Sequence, residues 1–191
     1  MSARQAILDA ALASLAERGL GAVSVRDVAA RAGVSPGLLR HHFGSFGALL
    51  NEAYRTATVR VDAVLDGALA EAGADPEARM AAFLRASFAE SIIDRSLLSA
   101  WLGFWGLVRS DPAAAAVHAE TYAAYRARIE RLLTEVGNAR GKAIDVRAGA
   151  LGLTAMLDGL WLELCLDPTT FTPEEAVRVA TAWVEGFVGR G

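Results

Sequence analysis

The sequence predicts an all-α chain of about nine helices, and three observations carry that expectation. Apolar residues recur three and four apart along nearly the whole chain, with no alternating strand pattern, internal repeat or low-complexity linker. Helix start signals repeat, each a capping residue followed by proline at the first helical position: Asp75-Pro76-Glu77, Asp111-Pro112 and Thr172-Pro173-Glu174-Glu175. Residues 24–43 hold two short helix patterns joined by a three-residue turn carrying Gly33. The 191 residues suffice for a substantial core, in one medium domain or in a small head on a larger body.

Taken in order, the first helix opens with Ser2 and Gln5 as a capping box and ends near Gly19, with Ile7, Leu8, Ala11, Leu12 and Leu15 on its apolar face. Ser24 caps the second, with Asp27 at the reciprocal place; Val25, Val28, Ala29 and Ala32 form its apolar stripe, and Arg26, Asp27 and Arg31 fall outside it. Gly33 can take the left-handed conformation that ends a helix, and Val34 anchors the turn. Ser35 then caps a third helix with Pro36 at its first position. Leu39 and Phe43, four apart, face inward there, so Pro36, Gly37, Arg40 and His41 project outward as the candidate reading face. Ser45 opens a long fourth helix, running to about Ala72 or Gly73, that joins a head of residues 1–47 to a body of residues 48–191.

The remaining start signals place at least four body helices, the last of them after the break Gly137 to Gly141 and after the loop Asp167 to Phe171. Residues 97–108 carry no charge and are apolar on every side, so this helix is expected at the centre, surrounded by neighbours. Residues 148–166 are interrupted only by Asp158 and Glu163, and with residues 176–188 they offer more apolar surface than one subunit covers. A two-fold homodimer would bury it, with Leu160 and Val184 as seam positions; the alternative is that both helices are core of a monomer.

Charge is uneven. Residues 1–47 hold five arginines against Asp9, Glu17 and Asp27, a net of +2, while the remainder holds 14 basic residues against 19 acidic ones, a net of −5. That asymmetry suits a basic head that meets duplex DNA on an acidic body, and the spacing of residues 24–43 is that of a helix-turn-helix. Catalysis is not expected, because the three histidines, His41, His42 and His118, stand in no nucleophile–base–acid arrangement, and His118 beside Glu120 reads as a surface residue. His41 and His42 point about 100° apart on a helix and cannot share one metal, so neither metal nor cofactor is expected. The single cysteine, Cys165, excludes an intrachain disulfide and reads as an inert core thiol. The start MSARQAILDA lacks a signal-peptide pattern, and residues 97–108 fall short of the ~20 needed to span a bilayer, so a cytoplasmic protein without a membrane partner is expected.

ARAGVSPGLLRHHFGSFGALL, with Ala29 before it, resembles the helix-turn-helix signature of the TetR family of one-component transcriptional regulators. The matching positions are Ala29, Ala32, Gly33, Val34, Ser35, Gly37, Leu39, His42, Phe43 and Leu49. Two positions depart: the family's frequent tyrosine is Arg40, and the lysine that commonly touches phosphate is Phe46, which leaves Ser45 and nearby backbone N–H groups to hold it. The resemblance implies a dimeric repressor on a palindromic double-stranded DNA operator, released when a small-molecule effector in the body makes the fourth helix swing. Ser24, Arg26, Ser35, His42 and Ser45 are then the phosphate contacts, and Arg40 and His41 the base-edge candidates beside Pro36 and Gly37.

The body carries an aromatic set: Trp101, Phe104 and Trp105 on one helix pattern, Tyr122 and Tyr125 on the next, and Trp161 in MLDGLWLELCL. Such rings around one cavity, with Asp158 or Glu163 near, suit a quaternary ammonium group, whereas spacing by itself favours plain core packing. AWLGFW at 100–105 and LDGLWL at 157–162 resemble the body of BetI-type repressors over about residues 85–188, which implies control of choline-to-betaine genes. The other class of function open to this sequence is a ligand-binding helical bundle whose head no longer binds DNA, a reading to which Phe46 gives footing.

Overall fold

The computed structural model describes residues 2–189, and of Arg95 and Ser96 the backbone alone. Among the described residues the chain forms nine α-helices and no strand. They are α1 (Ala3–Arg18), α2 (Val25–Ala32), α3 (Pro36–Phe43), α4 (Phe46–Glu71), α5 (Pro76–Ser87), α6 (Arg95–Val108), α7 (Pro112–Ala139), α8 (Val146–Leu166) and α9 (Pro173–Gly189). A 3-10 turn at Leu20–Ala22, without a sequence signal strong enough to predict it, links α1 to α2.

Most helices start where side chains offered themselves as caps. Asp75 accepts from the Ala78 N–H at 3.0 Å, Asp111 from the Ala113 N–H at 2.8 Å, and Thr172 and Glu175 exchange bonds at 3.2 and 2.9 Å to open α9. At α1 the expected box is half formed. Ser2 accepts from the Gln5 N–H at 3.2 Å, but the Gln5 side chain is turned onward, its amide N–H donating to the Asp9 carboxylate one turn away at 3.0 Å in a charge-assisted bond. Helix α8 begins two residues before the predicted 148, where Asp145 caps it by accepting from the Ala148 N–H at 3.0 Å.

Packing divides the chain into two compact units, Met1–Arg60 with Arg95–Thr121 and Val61–Asp94 with Tyr122–Gly191, so that α4 and α7 each contribute to both. This division cuts elsewhere than a boundary after residue 47, since α6 and the first part of α7 pack with the head. In the first unit Ile7, Leu15, Val28, Leu39, Leu49, Tyr54 and Phe104 belong to one buried cluster. Leu39 is wholly covered, a burial that contributes about 1.5–3 kcal/mol. Helix α6 is not enclosed on all sides as its sequence suggested: Phe104 and Ala100 are buried, but Leu102 is 46% exposed. The reason is that α6 lies with one face on α1 and the 3-10 turn, which fixes only that face.

In the second unit Phe83, Leu84, Ile129, Leu133, Val136, Leu153, Leu157 and Ala180 form the core. Helix α8 meets α9 through Gly149 and Gly152. A Cβ on Gly149 would stand 2.6 Å from the Phe187 ring and one on Gly152 2.8 Å from Trp183, and these two rings stack at 5.1 Å. Arg140, in the turn just after α7, bridges Glu77 on α5 and Glu185 on α9 with four bonds of 2.6–2.9 Å. Val184 is buried in this core and not available to a seam, because its helical register points it at the unit's own interior. Length and composition alone would let α8 cross a membrane, with 21 residues and a mean hydropathy of 1.4. Its Leu153, Leu157, Leu164 and Cys165 are instead buried in protein, while Leu151 and Leu166 stay about half exposed.

Candidate functional site

The residues singled out for DNA stand on three successive capped helix starts and one outward face. Ser24 and Asp27 form the complete capping box of α2, with the Ser24 N–H donating to Asp27 at 2.9 Å. Gly33 takes φ +67, a conformation that costs a side-chain-bearing residue about 1 kcal/mol or more, and Val34 N–H closes the turn on the Ala29 carbonyl at 3.0 Å. Ser35 then accepts from the Leu38 N–H at 3.1 Å and Ser45 from the Ala48 N–H at 3.0 Å, opening α3 and α4. Ser24, Arg26, Ser35, Pro36, Gly37, Arg40, His41, His42 and Ser45 are all exposed, while Leu39 between them is buried. A Cβ on Gly37 would meet only the Ser35 hydroxyl at 3.7 Å, so the start of α3 has low relief and a phosphate or base edge can approach its backbone.

The charges of residues 1–47 sort themselves by pairing. Arg18 holds Asp27 at 3.2 Å, Arg31 holds Glu17, Arg60 holds Asp9, and Arg4 holds Glu52 at 2.8 Å with its guanidinium 5.3 Å from the centre of the Phe43 ring. Hydrogen bonds from Ser24 and Arg18 keep the Asp27 carboxyl below the usual range, and the Arg31 bond does the same for Glu17. Arg26 and Arg40 meet no described carboxylate at ion-pair distance. The uncompensated positive charge of the head is therefore carried by the two arginines that sequence reasoning assigned to DNA. Phe46, at the place of the usual lysine, is half-buried against the unit's apolar core.

The aromatic residues of the body divide between the two units. Trp101, Phe104 and Trp105 lie in the first. There Tyr54 of α4, which sequence reasoning missed, stacks on Phe104 at 4.7 Å, meets Trp101 edge-on at 5.3 Å and shares a 2.9 Å hydrogen bond with His118 Nδ1. His118 is thus a half-buried partner of Tyr54 and not a plain surface residue; a separation of 64 positions in sequence gave no signal of the pair. Trp101 and Trp105 stand 6.4 Å apart.

Tyr122, Tyr125, Asp158 and Trp161 lie in the second unit. The Tyr122 hydroxyl donates to the Asp158 carboxylate, and Arg126 is near enough for its charge to act on the same group. Burial outweighs both and raises the Asp158 carboxyl to about 6. Tyr125 packs 6.0 Å from Phe83, and burial, with Asp158 near, pushes its phenol well above the ordinary value. The Trp161 indole N–H donates to the Ile92 carbonyl at 2.9 Å. The structure therefore brings a half-buried carboxylate together with two phenol rings, and no described cation lies within ion-pair distance of that carboxylate. Such a group attracts a cation that can lose its water.

Comparison with known proteins identifies the family. Residues 7–53 match the model of bacterial regulatory proteins of the tetR family, and residues 76–189 that of the BetI-type transcriptional repressor C-terminal domain. The HTH-type transcriptional regulator BetI of Paraburkholderia phymatum is 31% identical over 183 residues, covering 95% of this chain and 91% of the relative. That of Stenotrophomonas maltophilia is 29% identical over 185 residues, with the same shares. A transcriptional regulator from Pseudomonas aeruginosa PAO1 superposes with a TM-score of 0.91 at 42% identity, over 97% of this chain and 90% of that one. A regulator from Saccharomonospora viridis, solved in complex with choline, shares the fold with a TM-score of 0.80 at 24% identity, over 96% of this chain and 95% of that one.

Proposed function

Because the chain belongs to the TetR family of transcriptional regulators and carries a BetI-type C-terminal domain, we propose that this DNA-binding repressor works as a dimer released from a palindromic operator by a small cationic effector. The observation that carries the DNA half is the pairing pattern of the head, in which Arg26 and Arg40 alone among its five arginines are left to meet phosphate and base. Helix α3 enters the major groove, Arg40 and His41 read base edges, and Ser24, Arg26, Ser35, His42 and Ser45 hold phosphates on either side. Two heads are needed because one eight-residue reading helix supplies too few contacts for a specific site.

For the dimer, the support is an apolar face left uncovered on α8 and α9: Leu151, Ala155, Gly159 and Leu166 at helical spacing, with Val179, Ala182 and Gly186 beside them. For the effector, the support is Asp158 with its phenol neighbours, together with the choline held by the Saccharomonospora viridis protein. A quaternary ammonium group desolvates easily, so burial against Asp158, Tyr122 and Tyr125 restores the charge balance that folding left unmet. Trp161, in the same unit, is proposed to line the effector's surroundings, whereas Trp101, Phe104 and Trp105 belong to the first unit's own packing. The effector must favour a conformer with the heads at the wrong spacing, by binding it better than the operator-bound one.

A gel-retardation titration on DNA upstream of the chain's own gene tests the whole reading. A salt-sensitive shifted band that choline dissolves and sodium chloride at equal ionic strength does not is the expected result. A band that no ammonium compound alters would leave a repressor with a different effector, and no band on any promoter fragment would return the chain to a ligand-binding bundle.

A further inference from the structure

Helix α3 is held by little. Among its described residues only Leu39 is buried, and Phe43, at the C-terminal end, is half-buried against the core of the first unit. Gly44, at φ +74, then turns the chain into α4, its N–H donating to the Arg40 carbonyl at 2.7 Å. Arg4 of α1 straddles that corner: its guanidinium stands 5.3 Å from the centre of the Phe43 ring and donates to Glu52 of α4 at 2.8 Å. Local helix energetics do not account for an arginine there, because a cation in the first turn of α1 opposes the helix dipole. Nor does stability, since the Arg4 and Glu52 side chains are 49% and 33% exposed and so open an ion pair contributes little.

What the two contacts do is fix where the C-terminal end of α3 lies relative to α1 and α4. A helix of eight residues pinned at Leu39 alone is free to tilt about that pin, and Phe43 is its second point of attachment. The guanidinium is drawn to the Phe43 ring by cation–π attraction, and the bond to Glu52 keeps it there. Arg40 lies one residue from the pin and three from Phe43, so a tilt of α3 moves it off a guanine edge, whose two bonds demand fixed geometry. Contacts to phosphate carry no such demand for sequence and survive a small tilt. We propose that Arg4 is a positioning residue for base readout: through Phe43 and Glu52 it sets the angle at which α3 presents Arg40, without itself meeting DNA. This rests on the reading of α3 as the helix that enters the major groove, and gives that site a determinant of specificity outside the helix-turn-helix.

The test is fluorescence anisotropy of the full-length protein on two duplexes at several salt concentrations. One is a fragment from upstream of the chain's own gene that the wild type retards, the other a random sequence. Arg4→Gln is expected to bind the first about tenfold more weakly and the second within about twofold of wild type, with the slope against log salt unchanged. Arg4→Lys, which keeps a cation for both partners, should retain most of the operator affinity, and Glu52→Gln should lose it in the same direction as Arg4→Gln. Melting curves check folding and should move little; if Arg4→Gln does not fold, Glu52→Gln decides. An equal loss on both duplexes with a shallower salt slope would make Arg4 a phosphate contact, and operator affinity unchanged in Arg4→Gln and Glu52→Gln would make the corner plain packing. Either result overturns the proposal while α3 remains the reading helix. If the wild type retards no fragment, or Arg40→Ala leaves discrimination between the duplexes intact, the reading of α3 itself falls and the proposal with it.

Discussion

Arg40 and Arg26 are both exposed, with no described carboxylate at ion-pair distance, and their different helices suit them to different proposed work. Arg40 lies on the outward face of α3, where a guanidinium can donate two bonds to guanine, and Arg26 lies in the first turn of α2 beside the capping box. Arg40→Ala should cost about 1–3 kcal/mol on the preferred operator and relax base choice at one position per half-site, whereas Arg26→Ala should weaken all sequences alike. Fluorescence-anisotropy titrations on operator and random duplexes separate the two, and an equal loss on both duplexes for Arg40→Ala would remove it from base reading. Asp158 makes a second prediction at this scale. Its carboxyl is raised from 3.8 to about 6 by burial, so between those pH values the folded chain holds a proton that the unfolded chain gives up, and stability falls as pH rises through that window. Near neutral pH the buried charge is fully present, and Asp158→Asn should stabilise the ligand-free protein by about 1–2 kcal/mol in thermal melts while removing ammonium binding. Below about pH 6 the affinity of the wild type for an ammonium compound should drop about tenfold per unit. A flat pH profile, with a melting temperature that the substitution leaves unmoved, would mean that the carboxylate is neither buried nor used.

At the scale of elements, capping was the most legible signal and packing the least. Ser24, Ser35, Ser45, Asp75, Asp111 and Thr172 all start helices as their types and spacing predicted, because a cap is made by residues three or fewer positions apart. The start of α4 also invites a test. Phe46 covers part of the head's core where the family commonly has lysine, so Phe46→Lys should exchange some apolar burial for a phosphate contact. The slope of log affinity against log salt should steepen by about 1 per head, with melting temperature slightly lower. An unchanged slope would mean that the start of α4 does not reach DNA. The register of α8 and α9 was not legible, since both helices are apolar on more than one face. Val184 turned inward and Leu151 outward, a choice that depends on where Gly149 and Gly152 let the Trp183 and Phe187 rings lie.

At the scale of the molecule, the exposed Leu151 and Val179, at 49% and 50%, are where a second copy would be felt. Leu151→Glu with Val179→Glu should leave a folded monomer by sedimentation, because each carboxylate is solvated in the protomer and would be buried unpaired in a seam. Operator affinity should fall with the loss of the second head; an intact dimer would put the interface elsewhere. The sequence by itself determined the all-α class, the helix starts, the exposed face of α3 and the family, since each depends on residues within a turn or two of one another or on a contiguous motif. Only the tertiary structure decided which arginines of the head pair with carboxylates, that Tyr54 pairs with His118, that the predicted aromatic set divides between two packed units, and that burial raises the Asp158 carboxyl. Those outcomes depend on which distant helices share a core, and burial and ion pairing are properties of that packing, which no local spacing encodes.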